Sequence, residues 1–175
     1  MSRPHPNGSG TAGPDTGGAD AGDADVLGAD APGPDVWQRL TALARSACSM
    51  AYVPYSRFPV GAAALVDDGR YVSGCNVENA GYGVTLCAEC GLVSDLVLGG
   101  GGRLVAFACV GADGEPLTPC GRCRQLLAEH AAPGMVLAVP GGRATIEEML
   151  PGAFGSEDID RIAAWRADRA PEEPT

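Results

Sequence analysis

The chain has 175 residues, 45% of them hydrophobic, and a formal net charge of −10, which allows one domain with a real core. It contains no lysine at all. A nucleic-acid surface, which needs clustered basic residues, is therefore not expected. Nor does the chain hold an apolar run of about 18 residues that could span a membrane.

Residues 1–33 are almost entirely Gly, Ala, Asp, Pro and Ser. Only Val26 and Leu27 could enter a core, so this arm is expected to be disordered. It lacks the apolar central run of a secretory signal. A helical pattern starts at Pro34-Asp35, where Val36, Leu40, Leu43, Ala44, Ala47 and Ala51 recur at spacings of 3–4. Asp35 with Gln38 reads as its capping box and Pro54 as its end. After Phe58 the period changes. VGAAALVDD and RYVSGCNV flank Asp68-Gly69, which predicts an antiparallel hairpin. The polar turn NVENAGYG leads into TLCAECGLVSDLVL, read as a helix that Gly99 to Gly102 terminate.

RLVAFACVG fits a strand buried on both faces. CGRCRQLLAEHA reads as a second core helix and MVLAVP as the next strand. GGRATIEEMLPGAF predicts a turn, a short edge strand and a small helix capped by Thr145 and Glu148. From about Gly155 the text is charged, and at most a short helix is expected there. The order αββαβαβ(β)α predicts one mixed sheet with helices on both faces, a three-layer α/β/α sandwich. The chain thus divides into an arm (1–33), a folded domain (34–154) and a charged tail (155–175).

Seven cysteines, an odd number without a signal peptide, favour metal binding and buried thiols in a cytoplasmic protein over a secreted disulfide framework. Cys120 and Cys123 form a C-x-x-C pair at a predicted helix start, and Cys87 stands at the start of the preceding helix. Exposed N–H groups and the positive end of the dipole favour thiolates there. Adjacent βα units bring both helix starts to one sheet edge. Three thiolates can then hold one Zn²⁺ per chain and leave a position for water. Glu89, two residues after Cys87, is placed to carry protons for that water. On spacing alone, Cys87, Cys90, Cys120 and Cys123 also fit a closed structural site of four cysteines, which would have no water position and no use for Glu89.

The words YVPYSRFPVGAA, NVENAGYG, CAE, PCGRCRQ and MLPGAF, in this order, resemble the small homotetrameric cytidine deaminases from about Val36 to Phe154. The resemblance implies hydrolytic deamination of cytidine and 2′-deoxycytidine in pyrimidine salvage. Cys87, Cys120 and Cys123 would hold zinc and Glu89 would shuttle protons. Phe58 would pack on the pyrimidine, and Asn76 and Glu78 would bond the sugar 3′-hydroxyl. The main chain at Cys87 and Ala88 would hold the base edge. Ala80, Gly81 and Tyr82, and the aromatic Phe154, would serve a neighbouring subunit's site, so that the tetramer completes each pocket.

In many relatives an arginine follows the glutamate and bonds the zinc thiolates; here Cys90 stands in its place. Arg124 is expected to bond a ligating sulfur instead, with Arg122 as the other candidate. His5, in the arm, and His130, late in a helix, do not suit the position of Cys87. Cys48, Cys75 and Cys109 read as core thiols. Two alternatives stay open: a deaminase of cytosine-nucleoside antibiotics of the blasticidin type, and a non-catalytic module built on structural zinc.

Overall fold

The computed structural model describes residues 32–169. Most of the 1–33 arm, His5 and residues 170–175 fall outside that range.

The first helix, α1, runs Pro34–Cys48. Its apolar face is Trp37, Leu40, Ala44 and Cys48, all buried. Trp37 also donates its indole N–H to the Pro32 carbonyl at 2.9 Å. The expected capping box is not formed. Pro34 occupies the first helical turn without needing an N–H partner, which makes Gly33 the N-cap and places Asp35 already inside the helix. The helix also stops before Ala51 and Pro54 are reached.

Strands β1 (Gly61–Val66) and β2 (Tyr71–Cys75) form the expected antiparallel hairpin. Gly69, at φ +89°, supplies the left-handed residue of its tight turn. Strand β3 (Leu104–Val110) is buried along nearly its whole length. It pairs antiparallel with β1 and parallel with β4 (Ala131–Val139), whose other edge takes the short antiparallel β5 (Gly142–Thr145). The strand order is β2-β1-β3-β4-β5, one mixed sheet.

Helix α2 is Ala88–Leu98, α3 is Gly121–His130, and α4 is the short Ile146–Met149. The Thr145–Glu148 capping box of α4 is present in both directions. Thr85 and Leu86 lie outside α2; Leu86 instead exchanges main-chain bonds with Val77 at 2.9 Å each way.

Two glycines set how closely the layers approach. A Cβ on Gly61 would meet the Ala44 carbonyl oxygen of α1, and one on Gly74 would meet the Ala88 oxygen and the Leu92 nitrogen of α2. Gly74 pairs with Ala62, the neighbour of Gly61, so α1 and α2 cover opposite faces. On the α2 side the core is Ala62, Ala64, Val72, Leu92, Leu96, Phe107, Leu127, Met135 and Leu137. The result is a three-layer α/β/α sandwich.

A fifth helix, α5 (Ser156–Ala167), follows the last loop. It buries none of its residues and exposes Ile159, Ile162 and Trp165. No helix among the described residues is long and apolar enough to cross a membrane.

Candidate functional site

Both α2 and α3 begin where β2 and β3 end, at one edge of the sheet. Cys87 is the N-cap of α2 and Cys120 the N-cap of α3, while Cys123 lies in the first turn of α3. The three sulfur atoms lie within 4.8 Å of one another. Tetrahedral zinc with Zn–S bonds of about 2.3 Å needs sulfurs roughly 3.8 Å apart, so a small adjustment closes this trio on the ion. Soft thiolates at two helix starts suit Zn²⁺ in charge and in type. Cys90 lies outside the trio, so the closed four-sulfur arrangement is not the one this fold assembles.

Without a cation the three thiols do not ionise alike. Burial pushes the Cys87 and Cys123 thiols up, and the charge of Glu89 adds to both. At Cys120 burial acts in the same direction but is outweighed by hydrogen bonds from Cys123, backbone and side chain, and from Cys87. Its thiol therefore sits below the ordinary value. A dication would favour the thiolate at all three, against the upward push at Cys87 and Cys123 and in the same direction as the hydrogen bonds at Cys120. Glu89, the second residue of α2, is only 4% exposed, the one buried charged side chain among the described residues.

Around this centre, Asn76 and Glu78 hold the loop that carries Phe58. Asn76 Oδ1 accepts the Val60 N–H at 2.8 Å, and its Nδ2 donates to the Phe58 carbonyl at 3.0 Å. Glu78 accepts the N–H groups of Tyr55 and Ser56 at 2.9 and 3.1 Å. The Ser56 side chain and these amides hold its carboxyl below the usual range. The clamp secures a loop in which Arg57 adopts φ +57°. Phe58 itself is 56% exposed. Tyr82 and Phe154 are exposed too, with Ala80 and Gly81 beside Tyr82 on the surface.

The arginines do not follow expectation. Arg124 Nη1 donates to the Met149 carbonyl at 2.7 Å instead of to a ligating sulfur, and its buried Nε makes no hydrogen bond. The turn from α4 toward the C-terminus captures it. Arg122 Nη2 is the group that meets a sulfur, that of Cys90, at 3.7 Å. Gln125, to which the sequence pattern assigns no role, donates to the Phe154 carbonyl at 2.8 Å and fixes that aromatic segment to α3. Its place at the end of PCGRCRQ was the available signal. Cys48 and Cys109 are buried as expected, whereas Cys75 is only half-buried.

Residues 35–139 match the family described as the cytidine and deoxycytidylate deaminase zinc-binding region. A cytidine deaminase of Mycobacterium tuberculosis is 56% identical over 129 residues, which cover 73% of this chain and 97% of the relative. One of Sporosarcina psychrophila is 41% identical over 131 residues, covering 72% and 96%. The crystal structure of the M. tuberculosis enzyme aligns with TM-score 0.66 at 56% identity, over 68% of this chain and 97% of that one. That of the Mycobacterium leprae cytidine deaminase aligns with TM-score 0.65 at 52% identity, over 66% and 97%.

Proposed function

The chain belongs to the cytidine deaminase family, and on that premise we propose how its residues divide the hydrolysis of cytidine to uridine and ammonia. It is a zinc-dependent hydrolytic deaminase. The observation that carries this reading is the trio Cys87, Cys120 and Cys123 beside a buried, non-ligating Glu89. The three thiolates hold the ion, which when bound supplies the Lewis acidity that makes water a nucleophile near neutral pH. Glu89 takes the proton from the attacking water and delivers it to the departing amino nitrogen, using a carboxylate that the fold keeps out of solvent.

Phe58 packs on the pyrimidine. The main chain at Cys87 and Ala88 holds the base edge, and Asn76 and Glu78 turn toward the sugar 3′-hydroxyl. The hydrogen bonds of Asn76 and Glu78 to the 55–60 loop support this assignment, because they hold Phe58 and the sugar ligands as one rigid group. A 3′-hydroxyl grip accepts 2′-deoxycytidine as well as cytidine, as salvage of free pyrimidine nucleosides requires. Ala80, Gly81, Tyr82 and Phe154 complete the pocket of a neighbouring copy in a homotetramer. Their exposure, with that of Tyr52, Tyr55, Val84 and Leu86, supports the assembly, since so many surface apolar residues call for a covering partner. Seven free thiols suit a cytoplasmic home. The 34–154 segment carries the activity, with the arm and the tail as appendages.

The test is direct. Purified protein should contain about one zinc per chain and convert cytidine to uridine, followed by the fall in cytidine absorbance. Light scattering should give four chains per particle. Zinc-loaded protein that leaves cytidine and deoxycytidine untouched would overturn the reading.

A further inference from the structure

Helix α3 breaks a rule that the other helices keep. Helices α1, α2, α4 and α5 carry acids in their first turns: Asp35, Glu89, Glu147 with Glu148, and Glu157 with Asp158. The first turn of α3 has no acid and instead carries a cation, Arg122, between two cysteines. A guanidinium there opposes the helix macrodipole. The side chain is exposed, and its unfavourable placement is offset where the surroundings are more negative than the helix end is positive.

The surroundings meet that condition once the cysteine trio holds zinc, the reading on which this inference rests. Three thiolates exceed the charge of one dication by one, and Glu89 adds a second negative charge in a buried position. The chain has no lysine to offset this; Arg124, next along α3, keeps its charge but turns its Nη1 donor to the Met149 carbonyl and not to a sulfur. Arg122 crosses from α3 to α2 and donates to the Cys90 sulfur at 3.7 Å. Cys90 lies one turn beyond Cys87, and its N–H donates to the Cys87 carbonyl at 3.0 Å. The contact therefore links the two first turns that supply all the sulfur ligands.

We infer that Arg122 is a positioning residue of the zinc site, tying the ligand-bearing turns of α2 and α3 together through Cys90 and adding positive charge beside a three-thiolate centre that also neighbours a carboxylate. The role needs both the guanidinium and its sulfur acceptor. Removing either should loosen the metal, and removing the second after the first should add little.

Zinc release from the purified holoenzyme into an excess of a metallochromic chelator reads this without reference to turnover. Arg122→Met should release zinc about 10-fold faster than the parent, in the range of outer partners of metal ligands. Arg122→Lys, of similar length but charged, should stay within about threefold of the parent. Cys90→Ala should also speed release, and the Arg122→Met, Cys90→Ala pair should be no faster than Arg122→Met alone. Added salt should narrow the gap between parent and Arg122→Met. Equal release rates for the Met and Lys variants, or a double variant in which the two effects multiply, would overturn the inference while leaving the zinc site intact. A parent protein that binds no zinc would overturn the metal-site reading itself.

Discussion

The two ends of α2 and α3 are built on opposite plans. At their N-termini stand thiols and a buried carboxylate, groups whose anionic forms repel one another until a cation joins them. At their C-termini main-chain groups find partners. Gly101 N–H returns to the Leu96 carbonyl at 2.9 Å and Gly100 N–H to Val97 at 3.2 Å, a Schellman closure with Gly100 at φ +107°. Arg70 then caps the loop, Nη1 donating to the Gly99 carbonyl and Nη2 to that of Gly101, both at 2.7 Å. Arg103 Nη1 reaches the Glu129 carbonyl near the end of α3 at 2.7 Å. Ligating cysteines stand at the starts and arginines reach the finishes, as the dipole favours, with Arg122 the exception at the start of α3. The difference is that one end holds unresolved charge for chemistry while the other commits its polar groups to stability. The two should therefore fail separately.

The sharpest break is at the reactive end. Glu89→Gln keeps the size of the side chain but removes its ability to move a proton. We expect kcat to fall by about 1000-fold, equivalent to about 4 kcal/mol of barrier, with zinc content unchanged. Because a buried carboxylate beside thiolates is an electrostatic burden, the melting temperature should hold or rise. A Gln variant that turns over at the parent rate would remove Glu89 from the mechanism; one that unfolds would show that the two ends are not independent.

At the paired end the reverse holds. Arg70→Met removes two charge-assisted bonds to carbonyls, plus a half-exposed ion pair with Asp68 at 2.7 Å that adds little. Chemical denaturation should show a loss of about 2 kcal/mol. The value of kcat/KM should not change, since nothing at the far edge of the sheet touches the site. A loss of activity without a loss of stability would reverse the comparison.

How much of this can be read from residues alone follows the range of each interaction. The Asp68-Gly69 turn, the glycine stop of α2 and the Thr145–Glu148 cap are local, and their chemistry lies within a few residues of text. The apolar run of β3 declares its burial for the same reason. The zinc trio is legible because two short words carry it and each opens a helix. The start of α1 misleads because two polar residues at capping spacing look alike wherever the helix begins, and Pro34 fixes the N-cap at Gly33, two residues before Asp35. The arginines are beyond reach of pattern. Arg70 meets carbonyls some 30 residues away, and the choice between Arg122 and Arg124 depends on whether a long side chain meets Met149 or Cys90 after packing.

Arg103 gives the finest test of the comparison. Its main chain is already tied to the hairpin: its carbonyl accepts the Asp67 N–H at 2.8 Å, and its own N–H donates to Asp67 Oδ1 at 3.1 Å. Those bonds do not use the side chain and survive Arg103→Met. What the substitution removes is one exposed bond to the Glu129 carbonyl and a cation at the negative end of α3. That should lower stability by about 0.5–1 kcal/mol at low salt, a shift of about 2–4 °C in melting temperature. The deficit should shrink as salt screens the charge, and kcat/KM should stay at the parent value. A deficit as large as that of Arg70→Met would mean that the Asp67 pairing falls with the side chain. A fall in activity would mean that strain at the end of α3 travels along the helix to Cys123, and the separation of stability from chemistry along these helices would not stand.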